Sequence, residues 1–371
     1  MKALFAYYTG TGNTLRALEK VAEGLVASGW EAEWLEIRAG GPSLGSALQG
    51  LRENDLLVLG FPALGFSAPR PVLRALRSLP GLPGLRAAVL CACGATAAKG
   101  RVVNGWSGTA VPEALRILVR KGAVPVGSVE ASYPENWTQV SPPGDEAGRE
   151  AMTSLGDGQA REFGVRLAAA LAGGGTDSPG LPAGSVRRGP VSRALGPLLA
   201  RGFRTFGRRL LARLFVADGS CTSCGLCART CPTAAIRMTG ARPAWTTACS
   251  GCNRCINLCP ERAIQTSYAR LVLVLGLNVA ALFLSGPAAR ALLGALSGQG
   301  RPPAGGIGAF AAGLALYLGF SLLQAGPLDA VLRVLERSGA LGALFSRGFT
   351  ERFGRYLAPG FKPERNVRDV P

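Results

Sequence analysis

The chain has 371 residues, 48% of them hydrophobic, and a formal net charge of +18, which allows two or three domains and excludes disorder throughout. It contains no histidine, which excludes histidine general bases, histidine-containing zinc sites and histidine-ligated haem. The positive charge predicts an acidic partner, and since no nucleic-acid-binding motif is present, a membrane surface is favoured over nucleic acid.

In residues 1–172, apolar strand-like runs alternate with segments of helical periodicity. This alternation predicts an α/β domain with a doubly wound parallel sheet and helices on both faces. The predicted strands are 2–8, 31–37, 55–61, 85–93 and 123–131, and the predicted helices are 15–28, 71–78, 112–120 and 145–172.

A turn rich in glycine and threonine separates the first predicted strand from the first helix. Its glycines let several N–H groups converge, and the helix N-terminus adds partial positive charge, so the turn suits a phosphate monoester. No Lys-Ser/Thr pair follows its last glycine, which excludes a Walker A loop, and Leu15 stands where the dinucleotide fingerprint needs Gly or Ala. A plain glycine-rich helix cap is the alternative. The turn comprises Thr9, Gly10, Thr11, Gly12, Asn13 and Thr14.

This turn resembles the phosphate loop of flavodoxins, which hold FMN. The loops after the third and fourth strands resemble those that flavodoxins bend around the flavin ring. Four aromatic residues are candidates either for ring contact or for packing: Phe66, Trp106, Tyr133 and Trp137. The resemblance implies FMN as cofactor and ring contacts at Pro62, Ala63, Leu64, Gly65, Phe66, Cys93 and Gly94. Cys91 and Cys93 share one face of a strand and are expected to be inert buried thiols.

Residues 173–215 form a linker that begins with a Gly/Pro-rich stretch and ends in a basic amphipathic helix, 198–215. Two interpretations of that helix stand: it lies on anionic lipid, or it packs between two domains. An Arg-Gly-Phe pattern at 201–208 recurs loosely at 347–355. We hypothesise that both segments rest on one lipid face, with phenylalanines inserted and arginines at headgroup level.

Eight of the ten cysteines form two runs with the spacing C-x-x-C-x-x-C-x-x-x-C-P. Structural zinc sites usually take two separated pairs of ligands, and disulfides need an oxidising compartment. The chain opens on a predicted strand and not on a secretory signal, so such a compartment is not expected. The runs therefore favour iron–sulfur clusters. They are Cys221, Cys224, Cys227 and Cys231, then Cys249, Cys252, Cys255 and Cys259.

The two runs resemble those of bacterial two-cluster ferredoxins, which implies a small α+β domain over residues 216–267 with two 4Fe–4S clusters. In that family the fourth cysteine of each run ligates the other cluster. Residues 1–170 and 215–267 together resemble the flavodoxin–ferredoxin fusion electron-transfer proteins. The resemblance implies one cluster on Cys221, Cys224, Cys227 and Cys259, and another on Cys249, Cys252, Cys255 and Cys231.

Residues 268–371 are predicted to form a helical, membrane-associated region: an apolar hairpin, 271–289 and 304–325, with a basic tail. The first segment has nineteen residues without a charge and, at about 1.5 Å per residue, just spans a bilayer core of roughly 30 Å. Arginines flank the pair on both outer sides, so the positive-inside rule places the redox domains on the cytoplasmic face of the cell membrane. A buried hairpin in a soluble cytoplasmic protein is the alternative.

The predicted function is electron transfer between FMN and the two clusters, with redox protein partners, a membrane and no nucleic acid. No catalytic residue is identified. A flavin-dependent oxidoreductase acting on a quinone or small molecule is one alternative, and a membrane-associated redox sensor or assembly factor is another.

Overall fold

The computed structural model describes residues 1–52, 54–98, 101–173, 190–296, 306–335 and 339–363. Its N-terminal part is built on a parallel sheet in the order β2-β1-β3-β4-β6, and β5 adds an antiparallel strand to the end of β4. This is the strand order of flavodoxin-like folds. The strands are β1 (Lys2–Tyr7), β2 (Glu31–Glu36), β3 (Leu56–Pro62), β4 (Arg86–Ala98), β5 (Arg101–Val103) and β6 (Val124–Pro134).

Five helices cover the two faces of the sheet. Alternate strand residues point to opposite faces, so Phe5 and Val58 pack in one apolar core while Leu4 and Leu57 pack in the other. The predicted strands and long helices all form, with ends shifted by a few residues. The helices are α1 (Asn13–Val26), α2 (Leu44–Leu48), α3 (Arg70–Arg77), α4 (Ala110–Arg120) and α5 (Glu146–Ala172).

Two short elements were not predicted. The helix α2 is a single turn whose first N–H groups are capped by Ser43, which accepts from the Ser46 amide at 3.0 Å. The strand β5 is only three residues long and pairs with the end of β4. Both are too short for a periodic pattern to show in sequence.

The strand order reverses between the neighbouring strands β1 and β3, so the switch point lies at the carboxyl ends of these two strands. Open α/β sheets bind ligands in the crevice at such a switch point. The predicted phosphate loop follows β1 directly, so the fold positions it at this crevice.

Much of the predicted Gly/Pro linker, 174–189, lies outside the described residues. The basic segment that follows is α6 (Pro190–Gly202), a π-helical turn (Phe203–Gly207) and α7 (Arg208–Leu214). It packs between the two redox modules: Arg204 pairs with Glu113 of α4, and Arg208 donates to the carbonyl of Cys249 at 2.5 Å. Of the two interpretations of this helix, the structure therefore shows the one in which it packs between domains.

The cysteine-rich module consists of two small antiparallel ladders and two short helices. The strand β7 (Phe215–Ala217) pairs with β10 (Ile264–Thr266), and β8 (Ile236–Thr239) pairs with β9 (Arg242–Trp245). The helix α8 (Leu226–Arg229) holds part of the first cysteine run, and α9 (Arg254–Leu258) part of the second.

The C-terminal region begins with α10 (Tyr268–Leu296) and α11 (Ile307–Leu323). A π-helical turn (Gln324–Leu328), α12 (Asp329–Leu335) and α13 (Gly339–Phe345) follow. By length and composition, two helices, Tyr268–Leu296 and Ile307–Leu332, could each cross a membrane. None of the most apolar window of the first is buried, and 17% of that of the second is. The buried-hairpin alternative requires other parts of the chain to cover these apolar faces. The described residues leave most of them uncovered.

The hypothesis that residues 201–208 and 347–355 rest on one lipid face stays a prediction for their arginines, since Arg201, Arg347 and Arg352 are exposed. It does not fit Phe203, which packs against Gly65 of the first domain. In the second segment, Thr350 is fully buried and its hydroxyl donates to the Gln265 side chain at 2.8 Å.

A buried charge cluster ties the connector to the C-terminal helices. Asp329 contacts Arg213 at 3.0 Å through one carboxylate oxygen and Arg270 at 3.2 Å through the other. All three side chains are nearly inaccessible to solvent. Removing one member of a buried ion pair leaves an uncompensated charge, which costs far more than losing a surface pair.

Replacing Asp329 with Ala should therefore lower the free energy of unfolding by about 3–5 kcal/mol, because two buried guanidinium groups lose their shared counter-charge. Glu162→Ala is the control, since this carboxylate is 64% exposed in its surface pair with Arg166. Urea unfolding of the full chain in detergent, followed by circular dichroism, measures both. Equal, small shifts would contradict the proposed role of Asp329.

Candidate functional site

A pocket lies at the carboxyl ends of β1, β3, β4 and β6, and we call it the strand-end pocket. Twelve of the thirteen residues predicted to contact FMN line it; the exception is Gly12, whose Cα faces Phe361 and Ala358. All four candidate aromatic residues line it too. Three further lining residues come from outside the first domain: Phe203, Gly251 and Asn253.

The phosphate loop has one hydroxyl that the protein itself leaves unsatisfied. Gly12 adopts φ 101°, which favours glycine, and its N–H donates to the Thr9 hydroxyl at 3.1 Å. The Thr11 hydroxyl accepts from Asn136. By contrast, the Thr14 hydroxyl is buried with no hydrogen-bond partner. A buried hydroxyl beside a helix N-terminus fits an anionic oxygen such as that of a phosphate.

The loop after β3 holds an aromatic side chain in a strained conformation. Gly65 and Phe66 both have positive φ, 55° and 61°, and such a value is rare for phenylalanine. The Phe66 ring remains 40% exposed and lies 4.9 Å from the Trp106 ring, centroid to centroid. This pair forms an apolar wall of the pocket that suits a flat aromatic ring.

Tyr133 and Cys93, both predicted near the flavin, are anchored in the protein. Tyr133 is buried, and its hydroxyl donates to Asp157 at 3.0 Å. Burial is the main cause of its strongly raised pKa, so it remains neutral. The sulfurs of Cys93 and Cys91 lie 3.9 Å apart inside the core. Both residues therefore act mainly in packing, although both also line the pocket.

The first cysteine group comprises Cys221, Cys224, Cys227 and Cys259, which line one small cavity. The pKa of Cys227 is raised to about 11, mainly by burial, and the nearby thiols of Cys259, Cys221 and Cys224 contribute to this rise. Cys224 is exposed. The structure thus brings together the three cysteines of the first run with the last cysteine of the second run.

The second cysteine group comprises Cys231, Cys249, Cys252 and Cys255. Burial raises the pKa of Cys249 to about 12, and the thiols of Cys252 and Cys231 contribute. Backbone N–H groups point at two of these sulfurs: Gly251 at 3.4 Å from Cys249, and Ala235 at 3.3 Å from Cys231. Such hydrogen bonds stabilise the negative charge of cluster ligands.

Within the described ranges of the chain, no three His, Cys, Asp or Glu side chains are arranged to hold a single metal ion. In a tetrahedral zinc site all ligands approach one atom. Thiolates around a 4Fe–4S cubane each bind a different iron and so stand farther apart. The donor sets therefore fit clusters better than zinc.

Arg254, which lies between Cys252 and Cys255 in the sequence, joins the second cysteine group to the phosphate loop. Its guanidinium is buried and donates to the carbonyls of Gly10 at 3.0 Å and Thr9 at 2.9 Å. It also pairs with Glu36 at 2.7 Å and donates to the Thr230 carbonyl at 2.8 Å. One side chain thus crosslinks β2, the phosphate loop and both cysteine runs.

The contact between the two modules is close. A Cβ on Gly10 would stand 2.3 Å from the carbonyl oxygen of Cys252, so only glycine fits there. Tyr8, at the end of β1, hydrogen-bonds the hydroxyl of Ser250. Asn253 adopts φ 56° and turns toward the pocket, where its side-chain oxygen is buried without a partner. Residues that stand between the cysteines of the second group, Gly251 and Asn253, therefore form part of the pocket wall.

A C-terminal segment covers the outer side of the phosphate loop. The Ala358 amide donates to the Thr11 carbonyl at 2.7 Å, and the Tyr356 hydroxyl donates to Asn13 at 2.8 Å. Phe361 lies against the Arg254 guanidinium, 5.5 Å from its carbon to the ring centroid. The C-terminal segment thus holds the loop in place through hydrogen bonds to Thr11 and Asn13.

Sequence reasoning missed these contributions from other modules. Phe203, Asn253 and Arg254 were seen only as members of basic or cysteine-rich segments, and residues 356–361 were not singled out. An arginine inside each cysteine run, Arg229 and Arg254, was the available signal, but the partners of Arg254 in the first domain are distant in sequence.

Comparison with family models supports an iron–sulfur site at the first cysteine run. Residues 216–237 match the family model of the 4Fe-4S binding domain. No curated protein matches the chain. The chain therefore combines a flavodoxin-like fold with an iron–sulfur binding region.

Among solved structures, the chain is similar to Megasphaera elsdenii flavodoxin, at 17% identity over 45% of this chain and 98% of that one, with a TM-score of 0.31. It is also similar to flavodoxin 2 from Bacillus cereus, at 22% identity over 47% and 99%, with a TM-score of 0.30. The Giardia intestinalis flavodiiron protein matches at 19% identity over 46% and 37%, with a TM-score of 0.29.

Replacing Cys259 with Ala should damage the cluster of the first cysteine group and spare the other, because this thiol lies with Cys227 across the module. Cys221→Ala and Cys249→Ala are matched controls for the two groups. The electron paramagnetic resonance spectrum of the reduced Cys259 variant should match that of the Cys221 variant. A match to the Cys249 variant would show that each run binds its own cluster.

Burial raises the pKa of Glu135, which lines the pocket, above its ordinary value of 4.5. The folded state then holds this proton more tightly than the unfolded state, so stability falls as the pH rises from about 4.5 through the folded pKa. Glu135→Gln should abolish this loss of stability. The apparent unfolding midpoints of wild type and variant, plotted against pH, should diverge between pH 4.5 and the folded pKa and run parallel at higher pH. Curves that are parallel at every pH would contradict a raised pKa at Glu135.

Proposed function

We propose that this protein carries electrons between FMN in the strand-end pocket and two 4Fe–4S clusters on the cysteine groups. The observation that supports this most is that Gly251 and Asn253, which stand between ligands of the second group, also line the pocket. A flavin there would lie directly beside the second cluster. FMN accepts electrons in pairs and releases them singly, whereas each cluster carries one.

The protein's own residues perform the positioning. Thr14 and the loop amides would hold the phosphate, and Phe66 with Trp106 would enclose the ring. The buried Arg254 holds the loop carbonyls against the cysteine module, which limits relative movement of the two sites. The closed interface also keeps water away from the path between them.

The exposures of the two cysteine groups favour an order of transfer. Cys249, Cys252 and Cys255 are buried, whereas Cys224 is exposed. We infer that electrons move from FMN to the second cluster and then to the more exposed first cluster, or in the reverse direction. The outer cluster then exchanges electrons with a partner protein.

Basic residues surround the outer cluster. Arg229 is exposed and donates to the Cys224 carbonyl at 2.7 Å, and Arg262 is exposed beside Cys259 in the sequence. Two more arginines, Arg237 and Arg242, are exposed on the neighbouring ladder. This surface suits an acidic redox protein, and the positive charge stabilises the more negative reduced cluster.

The apolar hairpin supports a location at a membrane. Large side chains on α10 and α11 are exposed, among them Phe283 at 74% and Ile307 at 90%. The side-chain amide of Asn278 donates a hydrogen bond to the side-chain oxygen of Gln324 between the two helices. These polar groups therefore do not face the outer surface. Together with the flanking arginines, this favours an anchor in the membrane with both redox modules on its cytoplasmic face.

Anaerobic reductive titration of the purified full chain tests the function. Uptake should reach about four electrons per chain, two by the flavin and one by each cluster. Bleaching of flavin and cluster absorbance should overlap, since the groups equilibrate. A chain that takes up no electrons after cluster and FMN loading, or that retains zinc without sulfide, would contradict the proposal.

Replacing Thr14 with Val separates phosphate binding from folding. The change removes a buried hydroxyl that has no partner, so the apo protein should be no less stable. The FMN affinity should fall about tenfold to a hundredfold, because a hydrogen bond to a charged group is lost. Riboflavin, which has no phosphate, is the matched ligand control. Isothermal titration that shows equal losses for both flavins would exclude a phosphate contact at Thr14.

A further inference from the structure

A large cavity outside the strand-end pocket separates the cysteine module from the C-terminal helices. Its volume of about 940 Å³ is partly open to the surface and within the range of sites for small organic ligands. We call it the lower cavity. Its walls come from the connector helix α7, the strands β7 and β9, the start of α10, and the helices α12 and α13. It lies where the apolar hairpin meets the redox module.

One aromatic side chain separates the lower cavity from the second cysteine group. Trp245 lines the cavity and packs in the same buried apolar cluster as Cys249 and Cys255, ligands expected for the second cluster. Phe215 stacks on Trp245, with ring centroids 5.4 Å apart, and lines the same wall. A molecule in this cavity would therefore stand close to the second cluster, on a wall distinct from that of the flavin.

The polar wall of the cavity is cationic. Among the residues that the structure describes, its lining includes Arg213, Arg237, Arg242 and Arg270 and no Asp or Glu. Asp329 pairs with both Arg213 and Arg270. One carboxylate thus offsets one of four positive charges, which favours a ligand with carbonyl or anionic oxygens.

The opposite wall is apolar and belongs to the helices that follow the hairpin. Ala330, Val334, Ala343 and Phe345 line it. Val334 is 62% exposed, so this wall opens toward the surface beside the apolar helices. A ligand that fits has a polar ring, which contacts the arginines, and an apolar body, which lies along this wall. It would enter the cavity from lipid.

We propose that the lower cavity binds a lipid-soluble quinone, which exchanges electrons with the second cluster. This inference rests on the proposed electron-transfer function. Reduced FMN would lose two electrons and two protons and become FMN; the electrons pass singly through the second cluster. The quinone gains these two electrons and takes two protons from water to become the quinol. The arginines stabilise the negative charge that develops on its oxygens.

A phospholipid headgroup would also contact arginines. A headgroup, however, gives no role to the packing of Trp245 between the cavity and the cysteines Cys249 and Cys255. Redox exchange accounts for the cationic wall, the apolar wall and the adjacent cysteine group together, which favours a quinone.

The test uses the full chain in detergent, loaded with FMN and clusters, and a decyl-substituted para-benzoquinone as probe. Ala343→Trp fills the cavity from α13. Leu344→Trp is the matched control, because this neighbouring residue is 49% exposed and does not line the cavity. The first readout is a saturable change in the electron paramagnetic resonance spectrum of the second cluster on binding. The second is the rate at which the quinone oxidises the reduced protein.

The wild type and Leu344→Trp should show the same saturable spectral change and rate, and Ala343→Trp should bind about tenfold or more weakly. Unchanged binding in Ala343→Trp would overturn the proposal, because the quinone would then occupy another site. A spectral change with short-chain anionic phospholipid and none with quinone would also overturn it.

The outcome is separable from that of the proposed function. If electrons pass from flavin to clusters but no quinone binds, only the lower-cavity proposal fails. If quinone binds and Ala343→Trp weakens that binding, but flavin and clusters do not exchange electrons, the cavity assignment stands and the proposed electron-transfer path fails.

Discussion

The buried guanidinium of Arg254 is the interaction on which the arrangement of the two redox sites depends. It satisfies carbonyls of the phosphate loop and of Thr230, and its charge is balanced by Glu36, whose side chain is only 7% exposed. Separating the modules would leave both charges without partners in a poorly solvated region. That penalty, of the order of several kcal/mol, favours a single fixed geometry over two tethered domains.

The same geometry explains why the pocket is built from three parts of the chain. The first domain supplies the strand ends and the phosphate loop, the cysteine module supplies Gly251 and Asn253, and the connector supplies Phe203. The C-terminal segment then covers the loop at Thr11 and Asn13. A flavin bound there would be enclosed by the elements that hold the nearer cluster, which suits transfer within one molecule.

Much of the fold could be predicted from the sequence because its signals are local. The β/α alternation follows from periodicity, the phosphate loop from glycines after a strand, and the cysteine groups from their spacing. The partners of Arg254 and the packing of Arg204 on Glu113 could not be predicted, since they join residues far apart in the chain. A basic amphipathic pattern suits a lipid surface as well as a protein interface, so periodicity alone did not separate the two.

The central claim is that the flavin and the second cluster form one continuous site. Flash photoreduction of FMN, followed by cluster absorbance at several protein concentrations, tests it most directly. The account predicts cluster reduction at a rate independent of concentration in the wild type and in Cys221→Ala, but not in Cys249→Ala, which lacks the nearer cluster. A rate that rises in proportion to protein concentration would show transfer between molecules and would contradict the account.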